Sequence, residues 1–260
     1  MALALGPLWL LVVLATPPDT IGPPPSTPAP PDPIAQLVGA LARLPATSPV
    51  RARVEHRVAF TQGDEEPPPV PGSASAIASS GPEGLRITWS PALLAAADAE
   101  ERARIGRPDA EAPTRDAIFD LRTLSLARAL DAVPELLRDL TDAKLLEDRV
   151  EPFEGALTRV LKVQFTPVVA ARDRRYVKDV EATARIWLGP DGVPVAAERT
   201  VLLQGRIFLI IGFEIEQKDA VRFGRSGDRL VVLRQESDSR SSGAGERRDR
   251  HARTTLTLLD

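Results

Sequence analysis

Between Val50 and Thr61 the chain alternates strictly: Val50, Ala52, Val54, His56, Val58 and Phe60 on one side, Arg51, Arg53, Glu55 and Arg57 on the other. A period of two with one wet face predicts a strand of an antiparallel sheet. Ser73–Ser80 and Leu85–Trp89 follow as a hairpin around Gly81-Pro82-Glu83-Gly84. After Ala143 strand follows strand. Leu145–Glu151 and Leu157–Thr166 flank Pro152-Phe153-Glu154-Gly155. Val180, Ala182, Ala184, Ile186 and Leu188 form an apolar face opposite Glu181, Thr183, Arg185 and Trp187. Gly189-Pro190-Asp191-Gly192 turns the chain into Val193–Leu203. Val221–Phe223, Leu230–Gln235 and Thr254–Leu259 complete the set.

Elsewhere the period lengthens. Asp32-Pro33 reads as a cap followed by a first-turn proline, and Ile34, Leu37, Val38, Leu41 and Leu44 recur at helical spacing. Ser90-Pro91 repeats that chemistry. Thr114 and Asp131 are read as caps of two further segments, so helices are expected at about 33–44, 91–105, 115–130 and 132–142. The fold class is α+β: a mainly antiparallel meander or open half-barrel of about ten strands, with short helices packed on one face.

One run departs from simple alternation. Arg206–Glu216 reads RIFLIIGFEIE, and as a single strand it carries Ile207, Leu209, Ile211, Phe213 and Ile215 in one row. Phe208 and Ile210 make its second face apolar as well, and Gly205 marks a hairpin or break before it. Phe208 and Ile210, extended by Leu202 or Trp187 on neighbouring strands, are the candidate ligand- or partner-contacting residues, because contiguous apolar surface beyond the core usually receives something.

The first 31 residues are of another kind. Ala2–Ala15 is apolar, uncharged and too short for a permanent span, and it ends in small residues at Val13 and Ala15. It reads as a secretory signal over residues 1–15. Thr16–Pro31, rich in proline and poor in large apolar side chains, reads as a disordered tether. Residues 32–260 are then one β-rich domain.

Composition narrows the chemistry. There is no cysteine, so disulfides, thiolate metal sites and a cysteine nucleophile are excluded. Only His56 and His251 supply imidazole, which excludes a multi-histidine metal site, and neither cofactor nor metal is expected. With 33 basic against 36 acidic residues the chain lacks the basic excess of a nucleic-acid binder. Gly224–Asp228, GRSGD, has Asp where a nucleophile elbow needs its second glycine, and it lies between strands; it reads as a plain turn. His56 has no acid beside it on its own strand face and reads as a buried or cavity-lining histidine. The acidic pairs Glu65-Glu66, Glu100-Glu101 and Glu147-Asp148 read as solvated groups, and Glu236–Arg253 as a mobile hairpin loop. No enzymatic activity is expected.

The order of elements resembles the LolA/LolB/LppX-like periplasmic lipoprotein-carrier superfamily. It has an apparent export segment, a leading helix Ile34–Leu44 running into Val50–Thr61, helices around Ala117–Leu140, then strand, GPDG and strand. The resemblance implies a curved sheet plugged by helices that shelters acyl chains. The expectation is therefore an exported binding protein of the periplasm or cell envelope of a Gram-negative-type bacterium, carrying lipid or lipoprotein acyl chains. The alternative is an envelope interaction module that covers its extra apolar surface with a protein partner. No nucleic acid and no transmembrane span in the mature protein are expected.

Overall fold

The structure is a computed structural model that describes residues 32–63, 70–207, 211–243 and 245–260. The signal and tether readings, and the candidates Phe208 and Ile210, lie outside the described residues.

Among the described residues ten strands form one antiparallel open sheet. In chain order they are β1 (Val50–Gln62), β2 (Gly72–Gly81), β3 (Gly84–Trp89), β4 (Lys144–Phe153), β5 (Ala156–Gln164), β6 (Val177–Leu188), β7 (Pro194–Ile207), β8 (Ile211–Ser226), β9 (Arg229–Gly243) and β10 (Glu246–Leu258). The spatial order is β3-β2-β1-β10-β9-β8-β7-β6-β5-β4. It is a meander except at one place, where the last strand inserts beside the first. The α+β open half-barrel class expected from the pattern is the class observed.

Among the described residues five helices accompany the sheet: α1 (Pro33–Ala42), α2 (Pro91–Gly106), α3 (Pro113–Asp120), α4 (Thr123–Leu130) and α5 (Val133–Leu140). The Asp32 carboxylate accepts the Ile34 N–H at 3.0 Å, as a cap should. Two details differ from expectation. The segment at about 115–130 is two helices, broken at Leu121-Arg122, where Asp120 is fastened to the sheet and Leu121 is buried. Tertiary contacts there outweigh continued helix. The cap of α3 is not Thr114 but the Glu100 carboxylate of α2, which accepts the Thr114 and Arg115 N–H groups at 3.3 and 2.9 Å.

The core lies between the sheet and α1, α4 and α5. Leu37, Leu41, Leu126, Leu130, Leu161 and Leu230 are its largest fully buried members. The helix-facing row of β1 is buried from Val50 to Val58, while Arg51, Arg53, Glu55 and Arg57 face water.

Three strand assignments are corrected. Arg206–Glu216 is not a single strand: β7 and β8 are antiparallel partners with Ile207 opposite Ile211, so the run is shared between two strands. Gly205 does not interrupt β7. A Cβ there would stand 2.1 Å from the Tyr176 carbonyl oxygen and 2.5 Å from the Phe213 ring, so glycine is required by what crosses it. Glu236–Arg253 is a hairpin, as expected, but of long strands rather than a mobile loop: Glu236–Gly243 and Glu246–Arg253 belong to β9 and β10, whose outer neighbours are β8 and β1. Backbone pairing on both sides and cross-strand ion pairs such as Arg253–Glu236 replace the hydrophobic signal that the pattern lacks.

Candidate functional site

The register aligns side chains of seven strands into rungs on the helix-facing side. One rung reads Val58, Ala252, Ser237, Asp219, Arg199, Ala184, Val163. The rung beside it reads His56, Thr254, Gln235, Val221, Ala197, Ile186, Leu161. On the other side come Arg250, Ser239 and Gln217. A polar block thus occupies β8, β9 and β10, and an apolar wall occupies β5, β6 and β7. Between this surface and α3, α4 and α5 lies an open cleft of about 1040 Å³, lined by both. From the helical side it receives Leu121 in the break between α3 and α4, and Leu136 and Leu140 of α5, together with Asp120, Glu135 and Asp139.

His56 anchors one side of the cleft. It is 3% exposed; Nε2 lies 2.9 Å from Asp120 Oδ2 and Nδ1 2.9 Å from Thr254 Oγ1. Its acidic partner comes from the end of α3, sixty-four positions along the chain, which no reading of the local strand could supply. Arg250 of β10 donates Nε to Asp120 Oδ1 at 2.9 Å and Nη2 to Oδ2. Burial pushes the Asp120 carboxyl upward, but hydrogen bonds from His56 and Arg250 outweigh it and hold the group at about 2. Hydroxyl, imidazole and carboxylate stand in the order of a proton relay. Here, however, the arginine takes both carboxylate oxygens, so the charge is already compensated and the cluster closes on itself. Its effect is to fasten α3 to the sheet.

Opposite, Arg199 reaches from β7 toward α5. Nη1 lies 3.6 Å from Glu135 and 3.4 Å from Asp139, and the guanidinium stands 5.0 Å from the Phe165 ring centroid. Burial raises the Asp139 carboxyl, against the pull of Arg199 and Arg138. Between these two clusters sits Asp219, 7% exposed. Its Oδ2 accepts Gln217 Nε2 at 2.9 Å, while Oδ1 is buried without a hydrogen-bond partner. Arg199, directly across on β7, likewise keeps a buried, unpartnered Nε.

Of the residues singled out from the pattern, the two that are described, Trp187 and Leu202, lie elsewhere. Trp187 is 3% exposed on the opposite side of β6 from Ile186, stacked on Phe153 at 4.9 Å and donating to Glu151 at 2.9 Å. Leu202 is half-buried and stands opposite Glu181 and Glu216. Six residues of strand, about 20 Å, separate its rung from that of Trp187, so the two do not form one patch. The residues the pattern missed are Asp120, Arg199, Asp219 and Arg250. For Arg199 the available signal was a charged residue on the core-facing parity of a strand; at Asp219 and Arg250 that signal was hidden because β8 continues through 217–220 and β10 through 246–253, where no strand was read, and Asp120, at a helix end, offered none.

Of GRSGD only Gly227-Asp228 is turn, because Gly224–Ser226 complete β8 in register with β9, and the aspartate has a structural task. The Asp228 carboxylate accepts the Thr47 and Ser48 N–H groups at 2.8 Å each, and these bonds, the Thr47 hydroxyl's included, draw its pKa down. Among the described residues no three His, Asp or Glu side chains converge as a metal site would need, and no helix is long and apolar enough to cross a membrane. Comparison of the chain with protein-family models, with characterised proteins and with solved structures returned no match.

Proposed function

We propose that this chain is an exported binding protein of the cell envelope that shelters an apolar or amphipathic molecule, such as lipid or a lipoprotein acyl chain, between its sheet and helices. The observation that carries the reading is the cleft itself: about 1040 Å³, with an apolar wall from β5–β7 beside a polar block from β8–β10. Small-molecule sites are commonly clefts of roughly 300–1,000 Å³ with a few placed polar groups on an apolar lining. A sheet with helices along one face is also the arrangement implied by the resemblance to periplasmic lipoprotein carriers, and the apolar segment Ala2–Ala15 supports export. Lipid extraction and mass spectrometry of the protein purified from its native host test the reading. Co-purifying lipid is the expected result; protein repeatedly free of lipid, with no uptake of fluorescent acyl probes, overturns it.

A second reading, a non-enzymatic envelope module that docks a protein partner, is favoured by one feature. Edge strand β4 and its neighbour β5 carry Leu146, Val150 and Leu157 at 48%, 63% and 77% exposure. Light scattering and crosslinking in the native host discriminate: a strictly monomeric protein without crosslinked partners removes this reading.

A further inference from the structure

Resting on the cleft as a ligand site, we infer that the head group it takes is cationic: an alkylammonium-type amphiphile whose N–H donors meet Asp219. The argument starts from charge compensation. Among the acids lining the cleft, Asp116 pairs with Arg104, and Asp120 with Arg250 and His56. Glu135 and Asp139 pair with Arg199 and Arg138. Asp219 alone among them has no cation within ion-pair distance, though it is 7% exposed and Oδ1 has no hydrogen-bond partner. Arg199 is its neighbour across the strand pair, but its guanidinium end is drawn to the α5 carboxylates and away from that role.

A buried carboxylate oxygen left without a donor is costly, and a ligand that brings one recovers that cost on binding. The surroundings say where the rest of such a ligand lies. Ala197, Ala184 and Ile186 occupy the adjoining apolar wall, with Val163 three strands from Asp219, roughly 14 Å away. Leu136 and Leu140 close over that wall from α5. Arg199 stands directly across from Asp219 on β7, so a head at Asp219 places its alkyl chain beside that residue, over the neighbouring Ala197 and Ile186 and toward Ala184 and Val163.

The test uses the full chain and three probes of equal length: dodecylamine, dodecanol and dodecanoate, each titrated below its micelle concentration by calorimetry. The amine is expected to bind at least about tenfold more tightly than the other two, the ratio of a charge-assisted hydrogen bond. Asp219→Asn should bring amine binding down to the level of the alcohol, with its thermal unfolding curve as the check on folding. If the alcohol or the carboxylate binds as well as the amine to the unaltered chain, or if Asp219→Asn keeps the preference, the head-group assignment is overturned and the cleft remains a ligand site. If none of the three binds, both fail.

Discussion

Two neighbouring regions of the same sheet face are built by opposite rules. Under α1 and α4 the space is closed by Leu37, Leu41, Leu126, Leu130, Leu161 and Leu230, all at 1% exposure or less. A few residues further along the same strands, His56, Ser237, Asp219, Arg199 and Arg250 face the helices, and a cleft remains. Apolar groups fill whatever volume they are given, because each gains from every contact. Polar groups must meet particular partners, so their positions are fixed by hydrogen bonds, and the space between them stays open. The dry part supplies stability; the wet part fixes geometry.

That contrast can be broken most severely in the dry part. Leu130→Ala, at a fully buried position, is expected to cost about 3–5 kcal/mol in denaturant unfolding, the transfer loss plus the cavity. Asp120→Asn comes next: it leaves Arg250 without its carboxylate and is expected to cost about 3 kcal/mol and to loosen α3, seen as faster hydrogen exchange in Pro113–Asp120. An effect below about 1 kcal/mol would mean that the cluster does not hold the helix.

The same cluster sets an acid limit. The Asp120 carboxyl falls from 3.8 to about 2 on folding, so its contribution is complete above pH 4 and is lost as pH drops from about 4 toward 2. Unfolding free energy should fall by about 1–2 kcal/mol over that window beyond the loss in Asp120→Asn. Two parallel pH profiles would contradict the assignment.

Smallest of all is the expected stability change at Asp219. Because Oδ1 gains nothing from the fold, Asp219→Asn should leave unfolding within about 0.5 kcal/mol of the unaltered chain, or raise it. A loss above 2 kcal/mol would place Asp219 with the structural clusters and erase the distinction between the two regions.

How much of this was readable in advance follows from the range of each interaction. Alternation in β1 and the Asp32 and Ser90 caps are local, and they appear in the structure as read. In the polar hairpin of β9 and β10 the long strands were missed because their partners are β8 and β1, the latter almost two hundred positions away. His56 was read correctly as a buried or cavity-lining histidine, but Asp120, which pairs with it, comes from a helix end.

The sequence by itself determined the class of the fold, the number and period of most strands, and the absence of thiol chemistry, since these depend on neighbouring residues and composition. Only the tertiary structure decided that β10 inserts beside β1, that polar residues from β8, β9 and β10 gather into one block, and that Asp219 stands in it uncompensated. Strand register sets which side chains meet, and it is a property of the assembled sheet that no single strand contains.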